Sequence, residues 1–419
     1  MFQAKMSRRG FLVGCSTAIA GMAGARLGHV ALAQSPEAAS GDVLVVVFLR
    51  GGWDVLSVLP PISGNDRKIY ERARPQLKIP LKGKGAALPL NDQLGLNARL
   101  APLMDLYRSG NMAIVQAAGL SHDTRSHFDA MEYIELGTPG DKGATSGWIT
   151  RHLNSKPNAP AAILPAVGIG GNAPTSLLAH SRAVSVSSLE YMNLPSESES
   201  WQAQQAVLRD MYRGDAWVRR AGANALSAID AIRGLKPAEY KPASGARYPE
   251  NEFGNSLKSI ALMLKSGLGV QAVSVDFGGW DTHESQSYEQ EGHMPELLGT
   301  LGSGLAAFYA DLAGAGLTKR LTVVTMSEFG RRLNENESRG TDHGHGSAMF
   351  VLGGNVNGGK LYGEWPGLAN EQLFERTDLA VTTDFRRVLG EIVTRRLGNP
   401  NLEKVFPGYA GFAPMGIVR

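Results

Sequence analysis

Short apolar runs rich in β-branched residues recur along this chain, and they restrict its fold more than any other feature. The run 43–49 contains no polar residue and ends before Gly51 and Gly52, as is typical of a strand buried on both faces. Stretches with helical periodicity separate the runs, so the sequence predicts an α/β fold with a mostly parallel sheet flanked by helices. Further strands are predicted at 112–117, 162–169, 270–277, 321–326 and 348–352.

The composition allows a full hydrophobic core. Hydrophobic residues make up 43% of the 419 residues and charged residues 19%, which are ordinary values for a globular protein. We expect one α/β domain over 42–419, although the length would allow two or three domains. Apolar residues at helical spacing predict a helical insertion near 198–235. The basic, Pro- and Gly-rich segment 70–90 predicts a long surface loop.

The first 33 residues resemble a twin-arginine export signal. Arg8 and Arg9 directly precede an apolar stretch, 11–25, that is too short to span a bilayer comfortably. Ala31-Leu32-Ala33 then provides the small residues of a cleavage site. The sequence therefore predicts a signal peptide over 1–33 and export by the twin-arginine translocase to the periplasm or the medium.

The exported chain would begin with a polar linker over 34–41 and would have no segment that spans a membrane. Removing the signal takes away four basic residues and no acidic one, which changes the net charge from +3 to −1. A chain with balanced charge has no basic surface for a polyanion, so we expect no nucleic-acid partner.

Cys15 is the only cysteine, and it lies inside the predicted signal. The exported chain would therefore have no disulfide, no thiolate metal ligand and no cysteine nucleophile. Two alternatives to soluble export stay open: a cytoplasmic chain with a chance arginine pair, and a lipid-modified Cys15.

A four-residue motif, Gly-Gly-Trp-Asp, occurs twice, each time directly after a predicted strand. The first copy ends at Asp54 and the second at Asp281. Ligand sites of open parallel sheets lie at the carboxyl ends of strands, so both aspartates are candidate metal ligands beside a tryptophan wall. The alternative is a helix N-cap aspartate in a tight turn, with the tryptophan in the core.

Histidines follow the second copy of this motif. His283 comes two residues after Asp281, and His343 and His345 lie in the segment 341–346 before a predicted strand. Imidazole and carboxylate groups are common ligands of divalent metal ions, so these residues are candidate ligands. The alternative is a flexible polar loop, or histidines that cap helix ends.

Glu328 and Arg331 follow the predicted strand 321–326. At the end of a strand, Glu328 is a candidate metal ligand or base. Arg331 either pairs with Glu328 or holds an anionic substrate with its planar guanidinium group.

The segment 122–129 is rich in polar residues and leads into a predicted helix. Ser126 with Asp129 three residues later resembles a capping box. A hydroxyl group at a helix N-terminus is also placed where free amide groups assist a nucleophile. Ser126, His127 and Arg125 are therefore candidate catalytic residues, and helix capping is the alternative for Ser126.

As a set, these motifs resemble the DUF1501 family of exported bacterial proteins. They are, in chain order, RGGWD, RSHFDAME, SGWITRHL, GGWDTH, SEFGRR, TDHGHG and GGKLYGEWPGL. That family is grouped with the alkaline phosphatase and sulfatase superfamily. The resemblance therefore implies an alkaline-phosphatase-like three-layer sandwich and a two-metal centre that cleaves phosphate or sulfate esters.

The resemblance also assigns roles to individual residues. Asp54 is similar in position to the first-strand aspartate of the superfamily, Asp281 with His283 resembles its Asp/His pair, and His345 matches its late metal histidine. Ser126 falls near the nucleophile. Glu328 stands where an Asp-His pair is expected, which leaves open one ion, two ions with Glu328 as a ligand, or none.

Two functions follow from these observations. The first is a metal-dependent hydrolase of a small anionic phosphate or sulfate ester, in which Ser126 attacks and Arg125 or Arg331 steadies the anion. Its metal would be Zn, Ca or Mn, with candidate ligands Asp54, Asp281, His283, Glu328, His343 and His345. The second is a non-catalytic exported binding or assembly protein, with another exported protein as its partner.

Overall fold

The computed structural model describes residues 41–159, 162–187, 189 and 199–419. The predicted signal peptide lies outside the described residues, and so does the predicted linker up to residue 40. Within the described ranges, no helix combines the length and the apolar character that crossing a membrane requires.

Most of the strands form one large sheet, and all six predicted strands are among them. The strands are β1 (Val43–Leu49), β2 (Leu88–Pro89), β3 (Gly95–Leu96), β4 (Met112–Gly119), β5 (Ala166–Ile169), β6 (Ala183–Val186), β7 (Ala272–Phe277), β8 (Leu321–Met326), β9 (Ser347–Leu352), β10 (Leu361–Tyr362) and β11 (Thr383–Asp384). The order in the nine-stranded sheet is β10-β4-β9-β8-β1-β7-β5-β6, with β11 beside β4, while β2 pairs with β3.

The large sheet is mostly parallel, as the sequence predicts. Only β9 runs against its two neighbours, β4 and β8. The loop 327–346 joins β8 to β9 without a crossover helix. The chain therefore turns back on itself, and the two strands run antiparallel. The central strands β8, β1, β7 and β5 are all parallel, and their carboxyl ends therefore meet at one edge.

Helices cover both faces of this sheet. They are α1 (Val55–Val58), α2 (Gly64–Ala73), α3 (Met104–Arg108), α4 (His127–Leu136), α5 (Trp148–Ser155), α6 (Glu199–Met211), α7 (Trp217–Arg233), α8 (Glu252–Lys265), α9 (His293–Gly314), α10 (Phe385–Glu391) and α11 (Leu402–Val405). Helices α6 and α7 lie in the segment where the sequence predicts a helical insertion.

Alternating side chains of β1 divide the core into two halves. Val45 and Val47 belong to the half formed with α7, α8 and α9. Val46 and Phe48 belong to the half formed with α4, α5 and α10. The sheet is therefore the middle layer of three, which confirms the predicted architecture.

The predicted surface loop over 70–90 is wrong in its first part. Helix α2 continues to Ala73, and the side chains of Tyr70, Arg74 and Leu77 are buried. The basic composition is misleading here, because the side chain of Arg74 is buried. It pairs with the carboxylate of Asp54, which lies 20 residues earlier in the sequence but is adjacent in the fold.

Acid should destabilise the fold through His152 of α5, whose side chain is 3% exposed. Burial, with a smaller contribution from Lys156, lowers the pKa of His152 to about 3, whereas an exposed histidine has a pKa of about 6.5. The unfolded chain therefore binds the proton first, and this group should remove about 2 kcal/mol of the free energy of unfolding between pH 7 and pH 5. Urea unfolding of the wild type and His152→Gln at both pH values measures this effect; an equal loss in the two proteins would contradict it.

Candidate metal centre

The two Gly-Gly-Trp-Asp turns follow neighbouring parallel strands, β1 and β7, so they lie side by side. Gly51 has a φ of +121°, and a Cβ atom there would lie 2.4 Å from the backbone nitrogen of Asp281. Only glycine lets the two turns touch in this way. Trp53 and Trp280 are fully buried and pack edge to face, with ring centroids 5.8 Å apart. The tryptophans therefore build the core beneath the turns.

Four side chains converge above this edge of the sheet. His127 begins α4, Asp281 and His283 follow β7, and His343 precedes β9. The Nε2 atom of His343 lies 2.9 Å from the Nε2 atoms of both His127 and His283. Oδ1 of Asp281 lies 3.3, 3.1 and 3.2 Å from the Nε2 atoms of His127, His283 and His343, respectively. We call these four residues the His–Asp cluster.

An oxygen atom holds the other ring nitrogen of each histidine. These Nδ1 contacts are 2.7 Å from His127 to Oε1 of Glu328, 2.8 Å from His343 to the carbonyl oxygen of Arg125, and 3.3 Å from His283 to Oδ1 of Asp342. Carbonyl and carboxylate oxygens only accept hydrogen bonds, so we assign the proton of each ring to Nδ1. Each Nε2 atom then presents a lone pair to the cluster.

The His–Asp cluster has the donor set of a tetrahedral metal site, and its five measured contacts between ligand atoms have a matching spacing. Ligand atoms about 2.0–2.1 Å from a tetrahedral zinc ion lie about 3.3 Å from one another, close to the contacts measured here. His127, Asp281 and His343 offer ligand atoms that all lie within 4.8 Å of one another. His283 stands outside that group of three, but its Nε2 atom lies 2.9 Å from Nε2 of His343 and 3.1 Å from Oδ1 of Asp281.

Arg331 fixes Asp281 from beneath the cluster. Its guanidinium group is fully buried and donates a hydrogen bond of 2.6 Å to Oδ1 of Asp281. It also donates to the carbonyl oxygens of Gly51, Gly52, Trp280 and Thr341. Burial acts to raise the pKa of Asp281, but the hydrogen bond and charge of Arg331 outweigh it and lower that pKa to about 2. Arg331 thus pairs with Asp281 rather than with Glu328 or an exposed anion.

Glu328 lies behind His127 and not among the four converging residues. Its carboxylate is fully buried, and Oε1 also accepts a hydrogen bond of 2.7 Å from the backbone amide of Gly51. Its Oε2 accepts one of 3.0 Å from the hydroxyl group of Ser327. Burial acts to lower the pKa of His127, but the contact with Glu328 outweighs it and raises that pKa. Glu328 therefore orients a histidine of the cluster.

Asp54 is not brought into the cluster. Its buried carboxylate accepts hydrogen bonds from both terminal nitrogens of Arg74, from Ser57 at 2.6 Å and from Gln286 at 2.7 Å. Burial opposes ionisation, yet the charge of Arg74 lowers the pKa of Asp54. Asp54 also precedes α1 as its N-cap residue. The aspartate of the first copy, Asp54, therefore belongs to an ion pair in the core, whereas that of the second copy, Asp281, belongs to the His–Asp cluster.

His345 and the side chain of Arg125 also lie apart from the cluster. The ring of His345 stacks on Phe374 with ring centroids 4.2 Å apart. Arg125 pairs with Asp378 at 2.6 Å and with Glu375 at 2.7 Å. Only the backbone carbonyl group of Arg125 reaches a cluster histidine.

Ser126 is the N-cap residue of α4. Its Oγ atom accepts a hydrogen bond of 3.4 Å from the backbone amide of Asp129, which is the capping contact that the sequence pattern predicts. The next residue is His127, so the start of α4 places this hydroxyl group next to the cluster along the chain.

Two residues that shape the site are absent from the sequence candidates. Asp342 directly precedes the candidate ligand His343 in the sequence. A carboxylate in this position indicates a possible hydrogen-bond partner for a metal-binding histidine. Arg74 had no such signal, because it lies 20 residues from its partner Asp54 in a segment without clear periodicity.

The fold and the His–Asp cluster define an α/β protein with a candidate metal site at the carboxyl edge of its sheet. Residues 236–398 match the model of a family described as a protein of unknown function, DUF1501. This segment is less than half of the chain and contains the motifs GGWDTH, SEFGRR, TDHGHG and GGKLYGEWPGL, which resemble the same family. No curated protein matches the chain.

Several solved structures are similar to this chain. The lipoteichoic acid synthase LtaP from Listeria monocytogenes is 9% identical with a TM-score of 0.30, and the match covers 75% of this chain and 66% of LtaP. The C-terminal periplasmic domain of EcEptC from Escherichia coli, in a complex with Zn, is 10% identical with a TM-score of 0.31 and coverages of 76% and 74%. Alkaline phosphatase from the Antarctic bacterium TAB5 is 9% identical with a TM-score of 0.28 and coverages of 75% and 92%.

Arg74→Met should strongly destabilise the fold, because it leaves the buried carboxylate of Asp54 without its cation. Removal of one partner of a buried ion pair costs about 3–5 kcal/mol. The double variant Asp54→Asn/Arg74→Met removes both charges and should recover most of that loss in urea unfolding. A loss below about 1 kcal/mol in the single variant would show that Asp54 does not depend on Arg74.

Proposed function

We propose that this chain is an exported, metal-dependent hydrolase of small phosphate or sulfate esters. The supporting observation is the convergence of three Nε2 atoms and one carboxylate oxygen, with each imidazole held from behind by an oxygen. Such outer contacts orient metal-ligating histidines in many proteins. The ester class comes from the resemblance of the motifs to the alkaline phosphatase and sulfatase superfamily. The proposed periplasmic or secreted location comes from the twin-arginine signal that the sequence predicts.

The donor set favours zinc over calcium and manganese. Three imidazole nitrogens and one carboxylate oxygen suit tetrahedral zinc, whereas calcium and manganese prefer more numerous oxygen ligands. We propose a single ion. Asp54 and His345, two of the six candidate ligands, are engaged with Arg74 and Phe374 instead.

The residues of the cluster would hold the ion, and its coordination would have to expand to five ligands for an ester oxygen to bind. The three histidines supply Nε2 atoms, and Asp281, fixed by Arg331, supplies an oxygen. The side chains of His283 and Asp281 are 44% and 47% exposed, so a substrate can approach from solvent. When bound, a divalent cation polarises an ester oxygen and lowers the pKa of a nearby hydroxyl group.

Ser126 is the proposed nucleophile. Its hydroxyl group stands at the N-terminus of α4, where the free amide groups of the helix favour negative charge. The guanidinium groups of Arg125 and Arg331 are paired with protein acceptors. The charge of an anionic substrate would therefore be balanced mainly by the cation and the helix end.

A non-catalytic exported binding or assembly protein is the second candidate. Two observations favour it: Ser126 caps α4, and four protein ligands would complete a tetrahedral shell, as in closed structural zinc sites. In that function the ion would stabilise the loops around Asp281 and His343, and another exported protein would be the partner.

The purified chain should take up about one zinc ion per molecule. His343→Ala should abolish uptake, because it removes the nitrogen that lies closest to both other histidines. His345→Ala, in the same loop but outside the cluster, is the matched control and should retain the ion. Elemental mass spectrometry of the two variants measures this; equal zinc content in both would refute the site.

Turnover separates the two candidate functions. The zinc-loaded protein should hydrolyse an aryl phosphate or aryl sulfate, and a chelator should stop the reaction. Ser126→Ala should lower kcat by roughly 1000-fold or more with unchanged zinc content. Full activity in that variant, with a stability loss of about 0.5–2 kcal/mol, would assign Ser126 to helix capping. Absence of turnover by the zinc-loaded wild type would refute the proposed hydrolase function.

A further inference from the structure

A cleft lies beyond the carboxyl ends of β5 and β7. Its volume is about 430 Å³, a size typical of small-molecule sites. Gly170 and Gly171 line it after β5, and Gly278 lines it after β7. Gly278 precedes Asp281 by three residues, so their Cα atoms are at most about 11 Å apart. The cleft and the cluster therefore lie at the same edge of the sheet.

Carboxylates dominate the charge of this cleft. Glu252, Asp276 and Glu296 line it, and no lysine or arginine is found among the described residues of its wall. Arg50 offsets one of these charges, since its Nε atom lies 2.7 Å from Oδ2 of Asp276. A phosphate or sulfate group would be repelled by the remaining carboxylates. The cleft is thus unsuited to the anionic part of an ester.

The other groups of the cleft are polar and uncharged, or aromatic. The amide nitrogen of Asn251 donates a hydrogen bond of 3.4 Å to the hydroxyl group of Thr300. The second N–H of this amide can donate to a ligand, and the hydroxyl group can donate or accept. Phe277 stacks on Phe253 with ring centroids 4.3 Å apart and an angle of 10°, which gives the wall a flat apolar part. A sugar ring matches this mixture, because it carries hydroxyl groups at its rim and an apolar C–H face.

We propose that this cleft binds an uncharged, hydroxyl-rich group such as a sugar ring, as the alcohol part of the ester. This inference rests on the proposed function, since it places the ester at the cluster and the alcohol in the cleft. Hydroxyl groups donate to the carboxylates and also accept from the amide of Asn251. An organic amine would satisfy the carboxylates only.

Binding of free sugars tests the cleft without any turnover. Saturation-transfer NMR on the zinc-loaded chain, with glucose, galactose, mannose and N-acetylglucosamine as probes, should detect at least one of them. The double variant Glu252→Gln/Glu296→Gln should weaken that binding by about ten-fold, because charged acceptors are lost. Glu371→Gln, which alters an exposed carboxylate outside the cleft, is the matched control and should bind normally. Binding of putrescine in place of every sugar, or of no probe, would overturn the inference.

A kinetic comparison distinguishes failure of this inference from failure of the proposed function. The KM for glucose 6-phosphate or glucose 6-sulfate should be at least about ten-fold lower than that for the matching ethyl ester, and the double variant should reduce this preference. Turnover of the ethyl esters with no preference for the sugar esters would refute sugar binding in the cleft and leave the proposed hydrolase function intact. Sugar binding without turnover of any ester would refute the hydrolase and support the cleft.

Discussion

The buried guanidinium group of Arg331 is the constraint on which the candidate site depends. It donates to backbone carbonyl groups of three separate loops and to the carboxylate of Asp281. A buried charge is tolerated only when it is paired and hydrogen-bonded, so these loops cannot separate without leaving it unsatisfied. Gly51 and Gly344 permit the arrangement. A Cβ atom at Gly51 would lie 2.4 Å from the backbone nitrogen of Asp281, and one at Gly344 would lie 2.4 Å from the carbonyl carbon of Arg331.

The imidazole rings of the cluster are likewise held by hydrogen-bond partners within the protein. Glu328 links the turn after β1 to His127, since one carboxylate oxygen contacts both the amide of Gly51 and Nδ1 of the ring. Each cluster histidine is thus fixed through contacts that do not involve a metal ion, and the site is organised by the fold. Asp54 shows the converse: where Arg74 is its partner, the same sequence motif gives a buried ion pair.

The strands were largely predictable from sequence, whereas the partners of charged residues were not. Strands β1 and β8 begin and end as predicted, because short continuous runs of apolar, β-branched residues are typical of strands buried on both faces. All four converging residues are candidates from the sequence, since motifs at strand ends of a parallel sheet share an edge. Asp281, His283 and His343 are predicted there as metal ligands, whereas His127 is predicted as a catalytic residue. Asp54 and Asp281 have the same three preceding residues, so only long-range contacts decide which of them reaches the cluster.

The central claim is that three imidazoles and one carboxylate meet around a single cation. X-ray absorption spectroscopy of the zinc-loaded protein tests it most directly. We expect a first shell of about four nitrogen and oxygen atoms at about 2.0–2.1 Å, with the multiple-scattering signal of about three imidazole rings. A shell of oxygen atoms without imidazole scattering would contradict the claim.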